Sequence, residues 1–206
     1  AFATNGDNLI ATGAKARAMG GVGIATSFGA ESSVANPALL SSVKSSEFSG
    51  SLTAFMPDVN FVSDAFNRPA GTPANMGGEF TAAAADSDAD LSYIPEFAYA
   101  TRVNNNLVYG VSVTGTAGMG TDYSDLTTNQ NGAMRMKTQL QLMKIAIPVS
   151  YQMGALSLGV APVLQYGTLK LSHLHMGGYL NNGKSSDLTL GYEVGAAYNV
   201  TSDLTL

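Results

Sequence analysis

From Glu47 onward the sequence alternates. Phe48, Gly50, Leu52, Ala54 and Met56 share one parity, while Ser49, Ser51, Thr53 and Phe55 share the other. A period of two places these groups on opposite faces of a strand. Leu91, Tyr93, Pro95, Phe97 and Tyr99 alternate in the same way with Ser92, Ile94, Glu96, Ala98 and Ala100, and Leu107, Tyr109, Val111 and Val113 with Val108, Gly110, Ser112 and Thr114. Leu156, Leu158, Val160, Leu164 and Tyr166 continue the pattern, and Leu188, Leu190, Tyr192, Val194, Ala196 and Tyr198 repeat it. Glu193 falls with Thr189, Gly191, Gly195 and Ala197, and a carboxylate is costly in lipid, so this face is expected in a lumen. Apolar-out, small-or-polar-in segments of about ten residues are the signature of a transmembrane β-barrel. One slip interrupts them: Leu140 and Leu142 have one parity, Ile145, Ile147, Val149 and Tyr151 the other, which predicts a β-bulge near Met143-Lys144.

Composition narrows the choice. No run approaches the roughly 20 apolar residues that a spanning helix needs, so a membrane location requires strands. A chain of 206 residues with 45% hydrophobic content suits a soluble core equally well. The discriminating figure is the 12% of charged residues, about half the usual share. A wall with one face in lipid and the other lining a polar lumen needs few charges. The net charge of -5, with ten Lys and Arg scattered along the sequence, argues against nucleic acid. The absence of Cys excludes disulfides and thiol chemistry. The N-terminus has neither a basic n-region nor an apolar h-region, so a signal peptide was removed or never present, and Ala1-Phe2-Ala3 suits a mature end.

The connections carry topology. Short ones (Val103 to Asn106, Gln152 to Ala155, Asn199 to Asp203) alternate with long ones (Asn60 to Asp90, Gly118 to Lys137, Leu171 to Ser186). Outer-membrane barrels have short periplasmic turns and long outside loops, and the first connection here is long, so whatever precedes it enters from the periplasmic side. Six strands and the start of a seventh at Leu204 leave an unpaired edge. The chain is therefore expected to be the N-terminal part of a longer protein, with closure by copies of itself as the alternative.

Residues 1–45 read as a separate unit before the strands of 46–206. Asn8 to Met19 predicts a short helix with Ile10, Ala14 and Ala18 on one side. Gly20 to Leu40 is rich in Gly, Ala and Ser and suits irregular, tightly packed backbone. A solvated linker would not carry Val22, Ile24, Phe28, Val34, Leu39 and Leu40.

The run Ala16-Arg17-Ala18-Met19-Gly20-Gly21-Val22-Gly23-Ile24-Ala25, then Asn36-Pro37-Ala38, then a strand closing with Met56-Pro57-Asp58-Val59-Asn60, resembles the start of the FadL/TodX outer-membrane transporters of hydrophobic compounds. The resemblance implies an all-β, antiparallel transmembrane barrel of roughly fourteen strands with an N-terminal plug, or hatch, inside it. It assigns plug and gating roles to Gly20, Gly21, Gly23, Asn36, Pro37 and Ala38, with Asn36 holding the plug by side-chain hydrogen bonds. It places a lateral opening at a kink in the third strand, where Gly115, Gly118 and Gly120 lie. It implies uptake of hydrophobic molecules, foremost long-chain fatty acids, by a bacterial outer-membrane protein among lipid and lipopolysaccharide. The protein is expected to be a monomer without enzymatic activity, cofactor or metal. Parity alone nominates Phe55, Ile94, Val108 and Val163 as apolar lumen contacts. Lys15, Arg17 and Lys144 are candidate cations for a fatty-acid carboxylate. Aromatic hydrocarbons as substrates, a structural barrel or adhesin, and a soluble lipid-binding barrel are the alternatives.

Other motifs carry less. Gly178 to Ser185 matches the phosphate-loop pattern GxxxxGK[ST], but an alternating strand follows where that loop requires a helix. His173 and His175 share a strand face without a third ligand nearby. Asp86, Asp88 and Asp90 open like a calcium loop, but Leu91 stands where Gly is required and Phe97 at position twelve. The sequon at Asn199 is without value in a periplasmic turn. No spacing suggests a catalytic set, and Glu96 and Glu193 read as polar lining of a lumen.

Overall fold

The computed structural model describes residues 9–67, 79–124, 135–175, 178–201 and 204–206. Ala1-Phe2-Ala3, Asp203 and the side chain of His175 lie outside them.

The strands are β1 (Ser46–Phe55), β2 (Asn60–Asn67), β3 (Glu79–Asp86), β4 (Ser92–Arg102), β5 (Leu107–Asp122), β6 (Met136–Ala146), β7 (Val149–Met153), β8 (Leu156–His175) and β9 (Gly178–Tyr198). Their pairings are antiparallel. The main sheet runs β1-β4-β5-β6-β8-β9, and β7 continues the line of β6 between β5 and β8. Pro148 interrupts that line because it has no N–H to donate, although its carbonyl accepts from Gly110 N at 2.8 Å. The sheet is an open, curved wall of six strand lines.

Two expectations need correction. The long connections contain strand: β2 and β3 pair within the first, β5 extends to Asp122 in the second, and β8 and β9 nearly meet across the third. Strands of 20 and 21 residues are about twice what a bilayer requires, so they project well beyond it. The bulge near Met143-Lys144 is also absent, since β6 pairs with β8 without interruption from Met136 opposite His173 to Ala146 opposite Val163. The register shift lies across the ladder, in β5 between Gly115 and Ala117.

What changes near Met143 is the environment. Below this level Val111, Val113, Ile145, Leu164, Tyr166, Leu188 and Leu190 face outward. Above it Leu140 and Leu142 continue the parity of the inward-facing Lys144, and across the ladders they meet Met119, Ala117, Leu169 and Gly167. Gln139, Gln141, Thr168, Lys170 and Lys184 occupy the outward parity there. Between β6 and β8 the backbone rhythm holds while the apolar side moves from the outward to the inward face, as expected where a wall leaves a bilayer.

The segment before β1 contains a helix α1 (Ala14–Ala18) and two 3₁₀ helices, Ala30–Val34 and Pro37–Ser42. The helix is shorter than the sequence suggested because Gly13, at φ 88°, breaks the backbone before it. Ala30, Leu40 and Val43 pack with Ala98, Ala100 and Val108 of β4 and β5, while Ala38 and Leu39 pack with Ala197 of β9. The segment thus lies against the inward face of the wall.

Candidate functional site

Asn36-Pro37-Ala38 is the tightest point of docking. Asn36 has extended backbone and caps the 3₁₀ helix, its Oδ1 accepting from Ala38 N at 3.0 Å, with Pro37 in the first helical position. The same side chain donates Nδ2 to Ile24 O at 2.9 Å within the segment and to Ala196 O of β9 at 3.0 Å. Ser150 of β7 donates to Ala38 O at 3.0 Å. One asparagine therefore ties the segment to itself and to the wall.

The wall is notched to receive it. Gly159 of β8 and Gly195 of β9 are directly opposite one another. A methyl group on Gly159 would strike the Pro37-Ala38 peptide and lie 2.8 Å from Ala38 Cα, and one on Gly195 would strike Asn36 Oδ1 and lie 3.0 Å from Pro37 Cδ. Only glycine lets the backbones approach this closely. Sequence reasoning missed both residues, although two inward-parity glycines within strands were a usable signal.

Of the other segment glycines, Gly20 and Gly21 have positive φ, at 73° and 90°, and turn the chain after α1. Gly23 has Ala35 Cβ and Ala16 Cβ 3.7 and 3.9 Å from the position of its missing side chain.

Glu96 forms a second tie. This carboxylate is only 4% exposed, yet it accepts from Gly13 N at 2.9 Å and from both terminal nitrogens of Arg17, at 3.1 and 2.9 Å. Ser51 of β1 is a further donor. Burying a carboxylate requires such compensation. Lys144 similarly pairs with Glu193 at 2.7 Å, and Lys15 Nζ donates to Phe28 O. Two of the three candidate cations for a fatty-acid carboxylate thus already hold carboxylates of the protein itself. At the short-turn end, Arg102 donates to the carbonyls of Ser41 and Val43, capping the second 3₁₀ helix.

Glu96 also marks where the wall parts. The β4–β5 ladder ends with Glu96 opposite Thr114, whereas β4 stays paired with β1 down to Ser92 and β5 stays paired with β6 up to Asp122. Pro95, next in line, has no N–H to offer. The bulge at Thr116 carries β5 onward beside β6. At the far end Asp88 N donates to Asp122 O, and Ser87 Oγ accepts from Asp122 N, both at 2.9 Å. The gap is therefore bounded below by the last rung and above by the base of the β2–β3 hairpin.

A cavity of about 750 Å³ follows this gap, lined by residues of both wall faces, among them Tyr93, Ile94, Gly115, Gly118, Leu140 and Leu142. Ile94 lies across it. A methyl on Gly115 would be 2.5 Å from Ile94 Cγ2 and one on Gly118 3.5 Å from Ile94 Cγ1. On Gly120 it would strike Thr138 O of β6. Of the four residues nominated from parity, Ile94 lines this cavity. Val108 is covered by Leu40 and Val43, Val163 packs with Ala146 and Ala161, and Phe55 lies opposite Ser92.

Asp122 at the rim forms an ion pair with Lys137. Burial works to raise its pKa, but hydrogen bonds from Lys137 and from the side chain and amide of Ser124 outweigh this and hold it below 3.8. The phosphate-loop-like run Gly178 to Ser185 is strand in β9. Among the described residues no three His, Asp or Glu side chains are grouped to hold a metal ion.

No curated protein matches the chain. Among solved structures, a FadL homologue of Pseudomonas aeruginosa is similar with a TM-score of 0.63 at 18% identity, over 95% of this chain and 50% of that one. The CymD monoaromatic hydrocarbon channel aligns with a TM-score of 0.38 at 14% identity, over 96% of this chain and 67% of that one. The chain thus spans about half the length of the first of these structures. The model of the family described as outer membrane protein transport protein (OMPP1/FadL/TodX) matches residues 1–206, and the chain belongs to this family of bacterial outer-membrane proteins.

Proposed function

We propose that the full-length protein takes up hydrophobic molecules across the outer membrane, long-chain fatty acids foremost. Residues 1–45 act as a hatch, and substrate leaves sideways between β4 and β5. The observation that carries this reading is the bounded gap beside Ile94, which joins an interior lined by Leu140 and Leu142 to an outward face carrying Tyr93 and Phe97. A ligand on this route exchanges one apolar surface for another, and each methylene kept from water is worth about 0.8 kcal/mol. Gly115, Gly118 and Gly120 present no side chain on the β5 side of the route, and the first two leave room for Ile94. Gly20, Gly21, Gly23, Asn36, Pro37 and Ala38 give the hatch its turns and its hold on the wall.

A second reading, uptake of aromatic hydrocarbons, is favoured by the pairing of Arg17 with Glu96 and Lys144 with Glu193, since a neutral ligand needs no cation. The deciding experiment measures uptake of labelled oleate and of toluene by the full-length protein in cells lacking other such transporters. Oleate uptake supports the first reading and toluene uptake alone the second. Uptake of neither by an inserted protein refutes transport and favours a structural or adhesive barrel.

A further inference from the structure

We propose that the outward face above the apolar band binds the phosphate groups of an outer-leaflet lipopolysaccharide, with Lys170 and Lys184 as the principal ligands. This rests on the outer-membrane placement of the wall and not on its transport role.

Three of the basic residues that look scattered in sequence lie near one another here. Lys170 of β8 is directly opposite Lys184 of β9, and Lys137 lies nearby on β6, where Ser172 is its partner across the ladder. Lys137 is already paired with Asp122, whereas among the described residues Lys184 donates to the amide oxygen of Gln141 at 3.2 Å and to no carboxylate. Among the described residues Lys170 has no acidic partner, and Asp187 falls on the inward parity. Like charges directly opposite one another destabilise a sheet unless an anion lies between them. Gln139, Gln141, Thr168 and Ser186 surround the pair on the same face and supply further hydrogen-bonding groups.

The position selects a lipid over a free anion. Immediately below Thr168 and Ser186, Tyr166 is opposite Leu188, and Leu190 follows at 81% exposure. Phosphates at the lysines therefore place their own acyl chains along these apolar side chains. Lys170 and Lys184 thus meet phosphate from a strand surface, through ammonium groups, instead of from a loop at a helix N-terminus.

The test titrates the purified full-length protein in detergent with bisphosphorylated lipid A, dephosphorylated lipid A and inorganic phosphate, reading retained lipid by native mass spectrometry. We expect Lys170→Gln/Lys184→Gln to weaken binding of the phosphorylated lipid about thirty-fold, from two lysines at a typical strength for an anionic lipid surface. Lys44→Gln, an exposed change at the opposite end of the wall, leaves binding unchanged. Dephosphorylated lipid binds wild-type protein about as weakly as phosphorylated lipid binds the double variant. Equal binding of the two lipids by wild type, or undiminished binding by a folded double variant, overturns the proposal. So does inorganic phosphate that competes at concentrations matching the lipid. If the double variant does not fold, the wild-type comparison decides alone. Loss of oleate and toluene uptake with lipid binding intact would refute transport and leave this site standing.

Discussion

Gly159→Ala replaces one hydrogen with a methyl group, yet it should loosen the hatch. The new methyl would lie 2.8 Å from Ala38 Cα and closer still to the Pro37-Ala38 peptide. Restoring an ordinary contact of about 3.4 Å needs a shift of at least about 0.6 Å, and β8 cannot yield because β7 and β9 hold it on both sides at Gly159, through Ser150 and Gly195. The same shift carries the 3.0 Å bond from Asn36 Nδ2 to Ala196 O to about 3.6 Å, beyond hydrogen-bonding reach. Overpacking of this kind costs about 1–3 kcal/mol, so protection of the docked segment should fall by roughly five-fold to 150-fold. Hydrogen exchange of the amides from Asn36 to Val43 in the full-length protein measures this directly. Gly191→Ala is the control: Gly191 has the same inward parity on β9, and nothing lies within 4 Å of an added Cβ. Unchanged protection in Gly159→Ala, or equal loss in Gly191→Ala, would refute the argument that the glycine notch holds the segment.

Arg17→Ala leaves the 4%-exposed Glu96 without its cation, and loss of one partner of such a pair costs on the order of 3 kcal/mol, so α1 should become accessible to protease while the strands stay intact. Glu96→Gln in that background should recover part of the loss, and no recovery would mean that the charge is not what matters. Asn36→Ala and Gly118→Val should each reduce uptake in properly inserted protein, the first by releasing the hatch and the second by pressing branched methyls on Ile94; normal rates in both would remove the gating assignment. Lipid-soluble quenchers should reach probes at Leu107, Tyr109 and Val111 but not at Leu140 and Leu142, and the opposite pattern would show the wall reversed. Because the Asp122 pKa is held below 3.8, its contribution to stability is fully present above that value and lost as pH falls through the lower, folded-state pKa. Asp122→Asn should therefore flatten acid unfolding of the rim below pH 3.8, and an unchanged acid profile would show that the carboxylate holds nothing there.

Much of the wall was legible because a period of two is a local property. The two faces of β1, β4 and the lower half of β5 follow directly from parity, as does the placement of Glu193 on the inward face beside Lys144. The Leu142-to-Ile145 slip was visible too, but parity cannot say whether the backbone or the solvent changes. Here β6 holds its register with β8 and the surroundings invert, and the shift belongs to β5, in the Gly115–Ala117 run where a kink was expected. The ties of the segment were less legible. Glu96 and Arg17 are separated by 79 residues and Asn36 and Ala196 by 160, distances over which no periodicity in a single chain carries information.

Those long-range ties give the architecture its mechanical sense. Glu96 is at once the anchor of α1 and the last β4 residue paired with β5. On one side of it Pro95 cannot donate, and two residues away Ile94 lies across the glycines of β5. Displacing Arg17 would leave a buried carboxylate uncompensated at the lower edge of the gap, where the rung to Thr114 is the last that joins the two strands. On the proposed reading, the position of the hatch and the width of the gap share an energetic term, and a ligand that moves α1 need not reach Ile94 to affect it. The Asn36 contact is on the other side of the segment, at the Gly159-Gly195 notch of β8 and β9. It can hold the segment in the wall while α1 moves, so the two ties are suited to different tasks: Asn36 to retention, Glu96 to coupling.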